Sequence, residues 1–313
     1  MNLKQMKLSL AVVINLLAAL TFGYFCFLGA NFYTLGDKGK SITVTVIITL
    51  LLIGTSLGAK LLKQTKGNFK NRLIWETILL VLFTLLIVWL TYFRFSHYFV
   101  VKAKENIIKE KLFKNISQSK TVYDDYIKYI DTLKKIHKNN LETAVTLHKA
   151  GIGNADFLKL GLRDEQICKV TYETQINNGI ANLHNTLMPA AIKSIKNQNS
   201  IWLANATDIV TNFEPIGIFE VINNIQSRNE NNIIRLVKQS SNNRIKTLGY
   251  KAFKLSKNPD FGNVKPEFIT HGTPPPIAIL CAISAYFLML LSWFITKRDN
   301  KPYGRLAKYE IEL

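Results

Sequence analysis

Four stretches of this chain, Leu8–Leu28, Ile42–Ala59, Leu73–Phe93 and Ile277–Thr296, are almost wholly apolar and hold no interior Lys or Arg. Each runs for about 20 residues, the length a helix needs to cross the hydrocarbon core of a bilayer. Glu76, near the start of the third stretch, is the one formal charge inside them. A chain with four such segments is expected to be an all-α, multi-pass membrane protein. Lys4 and Lys7 precede the first stretch as they would precede a secretory signal. The apolar run continues through LTFGYFCFLG, well past the roughly 7–15 residues of a signal core, so it is read as a retained span.

The distribution of positive charge sets an orientation. Between the second and third spans the sequence KLLKQTKGNFKNR carries Lys60, Lys63, Lys66, Lys70 and Arg72 and no acid. The tail KRDNKPYGRLAKYEIEL adds Lys297, Arg298, Lys301, Arg305 and Lys308, whereas the short loop NFYTLGDKGK has only Lys38 and Lys40. Lys and Arg in short loops stay on the cytoplasmic side. Both termini and the basic loop are therefore expected in the cytoplasm, and the long insert between spans three and four outside it. Trp75 and Trp293 at one set of span ends, and Trp89, Tyr92 and Tyr98 at the other, suit the headgroup levels. The layout is a membrane domain over 1–94 (spans 8–28, 42–59 and 73–93), an extracytoplasmic, mainly helical domain over 95–275, a fourth span over 276–296, and a basic tail over 297–313. The net charge of +19 thus follows from span flanks and a Lys- and Asn-rich insert, and no nucleic-acid partner is implied.

Polar groups inside a bilayer are costly and merit individual attention. Asn15 in the first span can hydrogen-bond to a neighbouring helix. Glu76 follows Arg72 by four residues, which places both on one helix face and predicts an interfacial ion pair. With no ionisable residue at mid-depth, the spans supply no ion path, which argues against a transporter or a motor stator. Gly54 and Gly58 in GTSLG have the spacing that lets two helix backbones approach closely, within the chain or between subunits.

In the insert, Val122, Tyr126, Tyr129, Leu133, Ile136, Leu141, Ala144 and Leu147 recur at helical steps and predict one apolar stripe, ended by Gly151 and Gly153. Upstream, VVKAKENIIKEKLFKNIS is expected to extend the third span as helix. A second stripe, Ile176, Ile180, Leu183, Leu187, Ala191 and Ile195, is interrupted by Pro189, where a break is expected. A third helix opens near Pro215 and runs through Ile233, Leu236 and Val237. SNNRIKTLGYKAFKLSKNPDFGNVKPEF loses the helical period and is read as loop with a strand or two. Pro274, Pro275 and Pro276 stop any helix from running into the last span.

Enzyme signatures are missing. The five histidines, His97, His137, His148, His184 and His271, include no pair at the i, i+4 spacing of a helical zinc site. GIGNAD at 151–156 lacks the third glycine and the preceding strand of a dinucleotide loop and reads as a turn. Asp124 and Asp125 sit on a solvated helix face. No catalytic residue, metal site or cofactor is expected, and Cys168 is the only thiol of the insert, so no disulfide forms within it.

What remains is an anchor or scaffold: spans for the membrane, a helical insert for other membrane and periplasmic subunits, and Lys60, Lys63, Lys66, Lys70, Arg72, Lys297 and Arg298 for a cytoplasmic partner or for anionic lipid. An oligomer is expected. Three spans, a Lys- and Asn-rich helical insert, a last span and a short basic tail together resemble the TssN-type inner-membrane subunit of Bacteroidota type VI secretion systems. That resemblance implies a non-enzymatic subunit of an envelope-spanning complex, meeting periplasmic subunits on one side and the secretion baseplate on the other. The alternative is a receptor or regulatory subunit whose insert binds a ligand or peptidoglycan and signals through a partner.

Overall fold

The computed structural model describes residues 10–65, 69–255 and 257–298. Their regular secondary structure is all helical, with no strand among the described residues. Helices α1 (Leu10–Tyr33), α2 (Lys38–Gln64) and α3 (Phe69–Leu90) come first. A π-helical turn, Thr91–Phe95, links α3 to α4 (Ser96–Ala103). Next come α5 (Glu105–Lys149), α6 (Asn154–Lys159), α7 (Glu165–Cys168), α8 (Tyr172–Leu187), α9 (Ala190–Thr211), α10 (Gly217–Ser240), α11 (Asn243–Thr247), a 3₁₀ turn at Phe261–Val264, α12 (Lys265–Ile269) and α13 (Pro276–Ile295). Four helical stretches are long and apolar enough to cross a membrane: Leu10–Tyr33, Lys38–Gln64, Lys70–Ala103 and Pro276–Ile295.

The chain divides into two compact units. Among the described residues, the first comprises those up to Ile108, Pro215–Phe219 and those from Val264 to Arg298. Its centre is a cluster of Phe22, Cys26, Leu52, Phe83, Leu90, Phe95, Ala282 and Met289, among others, with the rings of Phe22 and Phe95 stacked at 4.4 Å. Leu17, Leu50, Val88 and Leu280 point outward and are exposed, so the helices are apolar on both faces. That is the pattern of helices buried in lipid rather than of a water-soluble bundle. In lipid, close packing and interhelical hydrogen bonds hold such helices together.

Close packing needs small residues, and the structure places them on α1. A Cβ on Gly23 would collide with the Thr49 hydroxyl of α2, and one on Gly29 with the backbone carbonyl of Arg94 in the π turn. Gly54, by contrast, has no packing neighbour among the described residues within 4 Å of where its Cβ would lie, and Gly58 meets Leu79 Cδ1 at 3.1 Å. Where α1 ends, Phe32 sits among the rings of Tyr98, Phe219 and Phe268. Nearby, Asn31 Nδ2 donates to the Pro215 carbonyl at 3.1 Å. Asp37 then caps α2, its Oδ1 accepting from Lys40 N at 3.1 Å. That bond and the Lys40 ammonium hold the Asp37 carboxyl below its usual pKa.

The second unit, Lys109–Glu214 with Glu220–Asn263, is a helical assembly around α5. Its main core joins Val122, Tyr126, Ile130 and Leu133 of α5 to Leu183 and Leu187 of α8, Ile192 and Ile195 of α9, and Leu236 of α10. A smaller one gathers Leu141, Ala144, Val145, Phe157, Leu162 and Tyr172. Fully burying side chains of this size stabilises by about 1.5–3 kcal/mol each. The break at Pro189 falls where expected, since that residue caps α9. Pro275 likewise caps α13, which opens on Pro276. Gly151 and Gly153 adopt positive φ at the end of α5, and GIGNAD is a turn leading into α6.

Two expectations need correction. Ile136 and Leu147 of the α5 stripe are exposed, while Tyr123, Ile130 and His137 are buried instead. The segment after α10 forms no strand. Its backbone is held by side chains: Ser240 Oγ accepts from Phe253 N at 2.9 Å, Tyr129 OH donates to the Lys251 carbonyl at 2.9 Å, and Asn115 Nδ2 donates to the Asp260 carbonyl at 2.8 Å. With backbone groups satisfied in this way, no ladder is required. The helical extension of the third span expected from VVKAKENIIKEKLFKNIS is seen: α3 continues through the π turn into α4, with an interruption at Lys104 before α5 begins at Glu105.

Candidate functional site

Two clusters of polar side chains in the first unit include residues singled out in the sequence. Asn15 is fully buried. Its Nδ2 donates to Ser56 Oγ at 3.2 Å, to Ser292 Oγ at 3.4 Å and to the Met289 carbonyl. One amide thus ties α1 to α2 and α13. Interhelical hydrogen bonds in membranes average about 0.6 kcal/mol each, so the knot fixes which helices meet more than it adds stability. Asn15 stood out in the sequence, whereas Ser56 and Ser292, ordinary residues in apolar runs, did not.

The second cluster lies where α2 ends, α3 begins and α13 ends. Glu76 is 2 % exposed. Its Oε1 accepts from Trp293 Nε1 at 2.9 Å and from Arg298 Nη2 at 2.8 Å. Lys63 Nζ donates to the Trp293 carbonyl at 2.9 Å and lies 4.0 Å from the centre of the same indole ring. That carbonyl belongs to the last turn of α13, where backbone acceptors have no partner within the helix. The lysine supplies one and places a cation at the negative helix end. The ion pair predicted between Glu76 and Arg72 is therefore replaced by one with Arg298, 222 positions away. The carboxylate faces inward toward α13, and Arg72 is only partly buried.

Of the other basic residues singled out, Lys60 is buried at 8 % exposure, while Lys70 and Lys297 are exposed. Lys66 lies outside the described residues, as does the tail beyond Arg298. The structure thus brings Lys63, Arg298 and Glu76 together around Trp293, with Lys70 and Lys297 exposed at the neighbouring ends of α3 and α13. Such an arrangement can receive an anion such as a lipid phosphate or an acidic protein segment.

The sequence missed a further grouping. His97 and His271, far apart in the chain, lie with ring centres 5.0 Å apart, each near Tyr33. His97 Nε2 donates to the Phe268 carbonyl at 2.7 Å, and its buried Nδ1 has no partner among the described residues. The Arg94 guanidinium lies 4.5 Å from the centre of the Tyr33 ring, a cation in the same neighbourhood. No group of three or more His, Cys, Asp or Glu side chains placed to hold a metal ion occurs among the described residues.

In the second unit, large apolar side chains are exposed around the turn after α5. Ile152 is 62 % exposed, Leu158 67 % and Ile167 80 %. Behind them, His148 stacks on Phe157 at 3.9 Å, and Glu165 accepts from the backbone N of Tyr172. The thiol of Cys168 is part-buried and takes a bond from Gln175 Nε2 at 3.3 Å.

No protein-family model, curated protein or solved structure matches the chain.

Proposed function

We propose that this chain is a non-enzymatic inner-membrane scaffold, an anchor subunit of a multi-protein assembly spanning the cell envelope, of the kind formed by type VI secretion membrane complexes. Its termini and basic loop face the cytoplasm, and the helical unit meets partner subunits in the periplasm. The observation that carries this reading is the trio Ile152, Leu158 and Ile167, large apolar side chains each more than half exposed within one short segment after α5, near in sequence to the buried Phe157 and Leu162. Exposed large apolar side chains concentrated in one segment suit a surface that binds other proteins. The Lys63–Glu76–Trp293–Arg298 cluster supports the second half of the reading, since it gathers basic side chains where α2 and α13 end.

The test is affinity purification of the tagged full-length protein from its own host in mild detergent, with Ile152→Glu, Leu158→Glu and Ile167→Glu combined. Subunits that co-purify with the unmodified chain should be lost from the variant while its melting temperature is kept. If the same subunits remain, the exposed trio is not the contact surface. A periplasmic reporter fused after Gln198 should be active and one fused after Lys66 silent.

A further inference from the structure

Within the helical unit, α5 and α9 border a cleft of about 360 Å³. Its base is Asn199, 8 % exposed. The orientation of that amide is fixed. Trp202 Nε1 lies 3.0 Å from one terminal atom of Asn199, and because an indole N–H only donates, this atom must be Oδ1. The same oxygen accepts from Asn232 Nδ2 at 2.9 Å. Both of its lone pairs are used, and the NH₂ at the other end finds no acceptor among the described residues, although it is not sealed from solvent. Two N–H donors on a side chain more than nine-tenths buried thus face the cleft.

Charges of both signs surround them. Lys120 and Lys196 approach from the two facing helices, and Asp124 lies one turn beyond Lys120. Lys196 lies 5.8 Å from the centre of the Tyr123 ring, resting its stem on apolar surface with the ammonium at the rim. The Tyr123 hydroxyl turns inward to Met188 Sδ, leaving the ring as an apolar wall.

The geometry points to a binding site for a zwitterion of about dipeptide size. Its carboxylate is received by Lys120, Lys196 and the Asn199 amide, and its ammonium by Asp124. Charge-assisted hydrogen bonds of this kind are about twice as strong as neutral ones. Asp124 disfavours a plain anion such as phosphate, because a like charge at the rim repels it. The volume falls near the lower end of small-molecule pockets, about 300–1,000 Å³. This inference goes beyond the scaffold reading and does not depend on it.

Indole resonances test it. The full-length protein in detergent micelles has four tryptophans, Trp75, Trp89, Trp202 and Trp293, and Trp202→Phe identifies the signal that matters. Titration with the dipeptide alanyl-alanine should shift the Trp202 indole N–H saturably, because its acceptor is the Asn199 oxygen, and leave the other three in place. The same peptide with an acetylated N-terminus and an amidated C-terminus should produce no shift. Combining Lys120→Gln with Lys196→Gln, both exposed positions, should weaken binding at least about tenfold, with an unchanged melting temperature confirming the fold. Absence of a saturable shift, or a shift that the blocked peptide or the double variant reproduces in full, would overturn the assignment.

Discussion

The contact between Glu76 and Arg298 predicts an asymmetry between its two partners. The Glu76 side chain is 3 % exposed and that of Arg298 26 %. Replacing Arg298 with Gln leaves a buried carboxylate supported chiefly by the Trp293 indole N–H. Replacing Glu76 with Gln leaves a guanidinium able to turn toward water, and the new amide oxygen still accepts from Trp293. Removing one partner of a fully buried pair costs about 3–5 kcal/mol. Since Lys63 also lies within electrostatic reach of Glu76, Arg298→Gln should fall at about 2–3 kcal/mol and Glu76→Gln at about 1 kcal/mol. The double variant should destabilise by less than the sum, with a coupling of about 1 kcal/mol, inside the range for directly contacting residues. The assay is unfolding of the full-length protein by SDS titration in micelles, followed by far-UV circular dichroism, for the unmodified chain, both single variants and the double variant. Equal effects that simply add would refute the pairing as a lock between α3 and the end of α13.

Two further outcomes follow from the same structure. Asn15→Ala removes the donor shared by α2 and α13, and should lower SDS resistance by about 0.6–1.7 kcal/mol without changing helix content. In the helical unit, burial and the nearby Arg244 charge hold the His137 imidazole below its ordinary pKa of 6.5, while its Nδ1 contacts Tyr250 OH at 2.8 Å. The unfolded ring gains its proton first as pH falls, so stability is fully present above 6.5 and declines below it. His184 shifts in the same direction. Thermal melts from pH 7.5 to 5 should show this decline, and His137→Gln should make it shallower; an equal slope in the variant would remove His137 as a cause.

Local chemistry was legible in the sequence and long-range pairing was not. Apolar run length located all four membrane-length helices, and proline geometry located the starts of α9 and α13. The same reasoning identified Asn15 as the amide that crosses between helices. It also put Glu76 with Arg72, because periodicity compares residues a turn apart and is blind to an arginine at the far end of the chain. His97 and His271 met for the same reason without any signal in spacing. The α5 stripe was partly misphased: a helix of 45 residues faces different neighbours along its length, so the buried side moves from Tyr126 to Ile130 and His137 while Ile136 and Leu147 turn outward. The segment 241–268 was read as loop with a strand or two because its helical period vanished, and its described residues form no strand. Backbone groups in it are bound by the side chains of Ser240, just before it, and of Tyr129 and Asn115, distant in sequence.

The π turn at Thr91–Phe95 means that α3 and α4 carry one surplus residue between them. The inward-facing positions step from Ile87 to Leu90 by three and then from Leu90 to Phe95 by five, so the helix swallows an insertion rather than expelling it as a loop. The widened backbone bulges into α1 where Gly29 stands. Chain length on one helix and side-chain size on its neighbour are therefore linked variables: a methyl group at position 29 would be accommodated only if a residue were deleted from 91–95, and evolution is free to alter either one only in step with the other.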